Sequence, residues 1–503
     1  MCDVHLERGT WCILFFGETA VGVAVFAETC CARNVAIADR THTKSSSKTG
    51  EKPSGARDVA LRVLMRVEKG AFAERELDRA LRTRSVNPKD RSLATELVYG
   101  VLRWKFRLDD LIAAHTRARH GKMDPRLRQI LRIALYQYLF LSRVPGRALV
   151  NEAVNQARAV LDDKRASFVN AILRAVLGRQ SGKGPCTGSD AETLSRYYSH
   201  PVWLVQRWLR QYGPEVTRRI LEANNVPAAL MCRVNALKTT VRDLFAPLEE
   251  EGVDFKPARI PGAFQLNTHG RSLRELPSYQ RGLFSVQDIG SQMVPPLLQV
   301  EPGMRVLDAC AAPGGKTALL AALGQNNVAL TAVDVSAARL DATRKNLQRL
   351  GVKHVQYRQG DVADEAFAAA LGSYDRILVD APCSGMGVLR RNPEARYRTT
   401  EEDLQAFADR QIRIVRTLAP LLKPGGKMVY SVCTVTREET RDVAAAVLAE
   451  CRFLRIDPIE ASELPDAPYF VSEDGCLETF PAPADMLVDG FFAVRMMRGE
   501  KCE

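Results

Sequence analysis

The 503-residue sequence predicts a multidomain chain: an all-α helical bundle, a small α+β linker domain, then an α/β domain with a doubly wound parallel sheet. Three observations predict it. The length exceeds one compact core, because chains split into domains beyond ~250–300 residues. Residues 56–180 carry helical periodicity throughout. From Met304 onward, apolar runs of strand length alternate with helical stretches, the pattern of a sheet covered on both faces.

Residues 1–55 are expected to form a disordered extension and linker. The apolar stretch 11–27 is interrupted by Glu18 and by glycines and is marginal in length for a membrane span. The acids Asp3 and Glu7 do not suit the basic start of a signal peptide. Residues 56–180 open on a stripe of Ala60, Val63, Leu64 and Val67, with Arg62, Arg66 and Lys69 off it. Further helical patterns at 90–114, 126–141, 149–160 and 167–177 give a bundle of five or six helices. The run SGKGPCTGS at 181–189 reads as a hinge. Residues 190–300 are helical to about Ala223, then carry strand-like pieces at 231–234 and 284–286 around a helix near 240–250. Residues 301–498 supply strands at 305–309, 330–333, 354–357, 376–379, 427–432 and 491–496. Their helices fall at 316–323, 337–350, 365–371, 404–422 and 438–450.

A composition of 46% hydrophobic and 26% charged residues excludes a wholly disordered, collagen-like or disulfide-framework chain. The formal charge is +12, and it is uneven. Between Arg57 and Arg179 there are 26 Lys and Arg against 13 Asp and Glu, so the remainder is nearly neutral. A basic helical block points to a polyanion partner, nucleic acid first. Twelve Cys without a CxxC pair fit free thiols in a reducing, cytoplasmic compartment.

The segment VLDACAAPGGKT, Val306 to Thr317, reads as strand, tight loop and helix start. Gly314 and Gly315 allow close approach of a ligand, and a helix N-terminus offers free N–H groups. Asp334 ends the next strand, where a carboxylate suits the hydroxyls of a ribose. A nucleotide-phosphate loop would read GxxxxGK[ST]. This loop ends that way, but Cys310 replaces its first glycine, which favours an adenosine-containing cofactor over ATP hydrolysis.

Two further strand ends carry cysteine: VDAPCSG, with Asp380 and Cys383, and YSVCT, with Cys433. Ligands of open α/β sheets bind beyond these carboxyl ends, so both thiols should reach the cofactor cleft. Methylation of a pyrimidine carbon needs such a set. A thiolate adds at C6, C5 becomes nucleophilic, an acid steadies the adduct, and a base removes the C5 proton. Spacing leaves open which thiol attacks. Arg390, Arg391 and Asn392 follow the Pro-Cys loop as candidates for phosphate contacts.

The motifs VLDACAAPGGKT, VDAPCSGMGVLRRNP, YSVCT and DGFF (Asp489–Phe492) resemble those of the Sun/NOL1/NOP2 family of RNA cytosine-C5 methyltransferases. The helical block resembles NusB. The pairing, with RVN at Arg233–Asn235 and SVQDIGSQ at Ser285–Gln292, is similar to bacterial small-subunit rRNA methyltransferases. The resemblance covers about residues 56–498. It implies an S-adenosyl-L-methionine-dependent Rossmann-like domain at 301–498 and a NusB-like RNA-binding domain at 56–180. Cofactor contacts would come from Cys310, Ala311, Ala312, Pro313, Gly314, Gly315, Lys316, Asp334, Asp361 and Asp380. It further implies Cys433 as nucleophile, Cys383 in product release and Asp380 against the cytosine. The substrate would be 16S rRNA, free or in an assembling small subunit, acted on by a monomer without metal or membrane. One position departs from the pattern: Val432 stands where the family usually has Thr.

Overall fold

The computed structural model describes residues 55–82, 86–116, 123–142, 144–481 and 488–500. The expectations for residues 1–54 lie outside them. Helices come first: α1 (Ala56–Val67), α2 (Ala73–Arg82), α3 (Pro88–Arg103), α4 (Lys105–Ala114), α5 (Pro125–Phe140), α6 (Gly146–Val160) and α7 (Asp163–Gly178). Their starts follow from capping. Asn87 accepts from the Asp90 N–H at 2.8 Å before α3, and Asp124 accepts from the Arg126 N–H at 2.8 Å before α5. Each cap precedes a proline, whose missing N–H costs nothing at the first helical position. The stripe read from α1 is buried, together with Leu97, Val98 and Val101 of α3 and Ile130, Leu131 and Ala134 of α5. The expected single helix at 90–114 is two helices. Trp104 leaves helical geometry at φ −109°, ψ 20°, and turns the chain between α3 and α4.

Next come α8 (Ala191–Tyr198) and α9 (Val202–Ala223), the latter broken where Gly213 at φ 74° precedes Pro214. A four-stranded antiparallel sheet follows, built from β1 (Leu230–Val234), β2 (Asp254–Pro257), β3 (Ala263–Asn267) and β4 (Phe284–Val286), in the order β2-β3-β1-β4. Helix α10 (Val241–Glu250) sits between β1 and β2, and short helices α11 (Pro277–Gln280) and α12 (Ile289–Met293) flank β4. Of this sheet and its crossing helix, β1, β4 and α10 were legible in the sequence; β2, DFKP, carries two charges and a proline.

The last part alternates β5 (Arg305–Asp308), α13 (Gly315–Leu323), β6 (Ala329–Asp334), α14 (Ala337–Leu350), β7 (Val355–Gln359), α15 (Glu365–Ala369), β8 (Tyr374–Asp380), α16 (Glu401–Leu418), β9 (Leu422–Val432) and α17 (Arg441–Glu450). It closes with β10 (Leu454–Ile456), β11 (Leu477–Thr479) and β12 (Phe491–Arg498). The strand order is β10-β12-β9-β8-β5-β6-β7, with β11 on β12. The five strands β5 to β9 are parallel, whereas β12 runs antiparallel to β9, and β10 and β11 run antiparallel to β12. The sheet is therefore mixed, a correction to the parallel sheet expected. No crossover helix separates β11 from β12, and strands without a crossover pair antiparallel.

The helical bundle and the α/β domain meet along residues 389–398. Arg396 is fully buried there and has no carboxylate partner among the described residues. Its guanidinium donates to the Ser199 carbonyl at 3.1 Å, Asn225 Oδ1 at 3.0 Å, the Asn224 carbonyl at 3.2 Å and the Arg103 carbonyl at 3.4 Å. Burial pulls its pKa down to about 10, so it stays charged at neutral pH. Unmet buried acceptors cost about 1–3 kcal/mol each. Arg396→Met is therefore expected to lower the thermal midpoint and to open the 181–189 segment to protease. An unchanged midpoint and digestion pattern would refute this account of the seam.

Candidate active site

The carboxyl ends of β5, β6, β8 and β9 converge on one side of the sheet. Asp308 ends β5. It is 1% exposed, accepts from Thr317 Oγ1 at 2.7 Å through one oxygen, and leaves the other without a described partner. Burial raises its pKa to about 6, opposed by the Thr317 hydrogen bond and reinforced by Asp380. The loop of Cys310, Ala311, Ala312, Pro313, Gly314, Gly315 and Lys316 then turns into α13. Gly314 lies at φ +93°, and a Cβ there would also press on Thr343 Cγ2 at 3.0 Å. Only the Gln287 side chain, at 3.9–4.0 Å, would approach a Cβ on Gly315, so open space lies beside the free N–H groups of the first turn.

Asp334 ends β6 and is 4% exposed. It accepts from the Ser336 N–H at 2.9 Å and pairs with Arg339 at 3.3 Å. Asp361 follows β7, half-exposed, and holds a turn by accepting from the Ala363 N–H at 3.0 Å. Asp334, Asp361, the glycine loop and the half-buried Cys310 all lie at or just beyond the carboxyl ends of β5, β6 and β7.

Asp380 ends β8. Lys316 Nζ lies 2.7 Å from its Oδ2, and Ser431 Oγ donates to its Oδ1 at 2.9 Å. Ser431 and Val432 are neighbours on β9, so their side chains point to opposite faces. Ser431 thus reaches Asp380 while Val432 is buried in the core, opposite Phe492. The two thiols meet: Cys383 Sγ is 3.3 Å from Cys433 Sγ. The hydrogen bond with Cys433, then burial, pushes the Cys383 thiol well up.

Glu439 was not singled out from the sequence, where it reads as the start of a helix. It is fully buried, and its carboxylate accepts from the Ser384 N–H at 2.8 Å, Thr436 Oγ1 at 2.9 Å, Gln411 Nε2 at 3.0 Å, Thr434 Oγ1 at 3.3 Å and the Ser384 hydroxyl. Ser384 adjoins Cys383, and Thr434 adjoins Cys433. One carboxylate therefore fixes both thiol loops. Its signal was a Glu six residues after Cys433 in the polar run TVTREET.

Arg390 and Arg391 are not free for phosphate. Arg390 is 3% exposed and paired with the fully buried Asp489. Arg391 binds Asp489 too, and Asp288 at 2.6 Å. This corrects the phosphate reading for both; Asn392 is exposed. The pairing brings DGFF onto the Pro-Cys loop. Gly490 N–H donates to the Gly387 carbonyl at 2.8 Å, and Gly387 N–H donates to the Cys433 carbonyl at 3.1 Å. A Cβ on Gly387 would stand 2.1 Å from the Gly490 carbonyl oxygen, so this contact requires glycine.

Three family models match consecutive stretches of the chain. They are the NusB family over residues 54–178, a Methyltr_RsmF/B-like ferredoxin-like domain over 200–271, and 16S rRNA methyltransferase RsmB/F over 295–497. The chain is 33% identical over 450 residues to the probable ribosomal RNA small subunit methyltransferase B of Bacillus subtilis (strain 168), covering 89% of this chain and 99% of that one. The chain belongs to the ribosomal RNA small subunit methyltransferase B family. It is a methyltransferase by that membership. The Klebsiella pneumoniae member is 36% identical over 367 residues, 72% of this chain and 83% of its own. Among solved structures, the one described as the crystal structure of PH0851 superposes with a TM-score of 0.74 at 25% identity, covering 90% of this chain and all of that one. A methyltransferase homolog from Pyrococcus horikoshii superposes at 0.52 with 29% identity, covering 62% of this chain and 99% of its own.

Two predictions follow from this geometry. Asp308 binds its proton more tightly folded than unfolded, so native stability falls as pH rises from about 4 to about 6. Asp308→Asn should flatten that slope in denaturation at pH 5 and pH 7.5; an unaltered slope would count against it. Glu439→Gln puts a donor where donors already converge. It should lower kcat for methyl transfer by roughly 100-fold through misplacement of the thiols, with cofactor affinity retained in titration calorimetry.

Proposed function

We propose that the chain transfers a methyl group from S-adenosylmethionine to C5 of a cytosine in 16S rRNA, with Cys433 as the covalent nucleophile. The observation that carries this reading is the pair of sulfurs 3.3 Å apart beside an aspartate held by Lys316. Family membership supports rRNA as the substrate. The residues Cys310 to Lys316, with Asp334 and Asp361, would hold the cofactor, which supplies an electrophilic methyl when bound.

The protein's own part is to activate C5, a poor nucleophile. Cys433, as the thiolate, adds to C6, and the displaced electron pair makes C5 enamine-like. Asp380, oriented by Lys316 and Ser431, faces the polar edge of the base and steadies the adduct. After methylation the C5 proton must be removed, so that the C6–S bond breaks and the thiolate leaves. The hydrogen bond with Cys433, then burial, raises the Cys383 pKa, so this thiol resists ionisation, and the family resemblance supports Cys433 as the attacking sulfur. Cys383 then assists release. The target base must leave any stack to reach this depth, and the basic 56–180 bundle would dock the surrounding RNA.

Cys433→Ala should abolish turnover without forming an adduct. Cys383→Ala should accumulate protein crosslinked to RNA, read on a denaturing gel. The opposite pattern would reverse the two roles.

A further inference from the structure

A cavity of about 180 Å³ lies where the helical bundle meets residues 394–398. It is far smaller than a drug-sized pocket of ~300–1,000 Å³, and suits part of a single nucleotide. Val67 of α1, Val101 of α3 and Tyr397 contribute to its walls, along with Lys105, Arg132 and Arg398. The charges are unevenly matched. Arg132 is held by Asp109 at 2.7 Å, and Glu68 lies 3.7 Å from Arg128 and 3.9 Å from Arg132. Lys105 and Arg398 have no carboxylate partner among the described residues. The Lys105 ammonium sits 4.9 Å over the Tyr397 ring, and Arg398 donates only to the Ala71 carbonyl. Burial, then Arg132, pulls the Lys105 pKa down, against the opposing pull of Asp109 and Glu68.

Two lining acceptors are also short of donors. Gln129 and Glu394 are 3% and 6% exposed, and Gln129 Oε1 and Glu394 Oε2 have no hydrogen-bond partner among the described residues. Beside the cavity stands Phe72, at 56% the most exposed large apolar side chain among the described residues. Arg398 lies 4.7 Å and Arg75 5.5 Å from its ring centroid. Arg398 thus joins the ring to the cavity.

An ammonium with no carboxylate at ion-pair distance among the described residues, unmet acceptors and an exposed aromatic flanked by guanidinium groups match the three parts of an unpaired ribonucleotide. They suit its phosphate, its sugar hydroxyl and its base face. We propose that Phe72, Arg75, Arg398 and Lys105 form an accessory site for one unpaired nucleotide of the RNA substrate, at the seam between bundle and catalytic domain. The inference rests on the RNA reading above.

The test uses the full chain and transcribed 16S rRNA, with RNA affinity measured by fluorescence anisotropy at several salt concentrations. Phe72→Ala should weaken binding by roughly 5- to 100-fold, and Phe72→Trp should retain it. Lys105→Met should lower the slope of log Kd on log salt by about 0.7. S-adenosylmethionine affinity and the thermal midpoint should stay at wild-type values for Phe72→Ala, whose ring is mostly exposed. Unchanged RNA binding in Phe72→Ala and Lys105→Met would overturn the site. So would an equal loss in Lys164→Met, an exposed lysine on α7, because it would mean diffuse charge alone. A wild-type chain that fails to bind the rRNA would overturn the RNA reading as well, a result visible before any variant is made.

Discussion

The carboxylate of Glu439 is buried with no cation paired to it among the described residues, so it is tolerable only if donors surround it. The donors it collects come from Ser384, Thr434, Thr436 and Gln411. Two of these residues are sequence neighbours of the two thiols. Burial of one charge thus closes the distance between loops that are 50 residues apart in the chain. Gln411 also donates to the Pro382 carbonyl at 2.9 Å and accepts from Tyr430, which extends the network to α16 and β9. The thiols meet where this shared polar shell ties their two loops together.

A second constraint acts through arginine. Arg390, Arg391 and Arg396 lie within seven residues, and each is spent on the protein interior. Arg390 and Arg391 draw Asp489 and Asp288 together and seat the closing DGFF segment against the Pro-Cys loop. Arg396 gathers carbonyls from the bundle and from the α8–α9 region. A basic run adjacent to a catalytic loop therefore builds the seam itself. The cations left over at that seam, Lys105 and Arg398, share with Arg396 the lack of a carboxylate partner among the described residues, but they reach fewer acceptors, Arg398 donating to the Ala71 carbonyl.

Legibility followed the range of the interactions. Helices α13, α14 and α17 and strands β5 to β9 were readable because their signals are local: apolar period, glycine loops and caps. The division at Trp104 was not readable, since apolar periodicity continues through it and the turn is made by packing against other helices. Strands β2, β10 and β11, with the sequences DFKP, LRI and LET, set one or two apolar residues among charged ones, so no apolar run marks them. At the site, Cys383, Cys433, Asp380, Asp334 and the glycine loop stood out because each ends a strand. Glu439 did not, because its importance lies in what surrounds it.

The sequence alone determined which chemistry-bearing residues exist and that they sit at strand ends, because strand length and loop composition are written in neighbouring residues. It also determined the uneven charge that marks the helical block. Only the tertiary structure decided that the two sulfurs touch, that Ser431 rather than Val432 reaches Asp380, and that Arg390 and Arg391 serve the fold. Those outcomes depend on burial. A charge or polar group that loses water must find partners wherever the chain brings them, and no local pattern records which partners those will be.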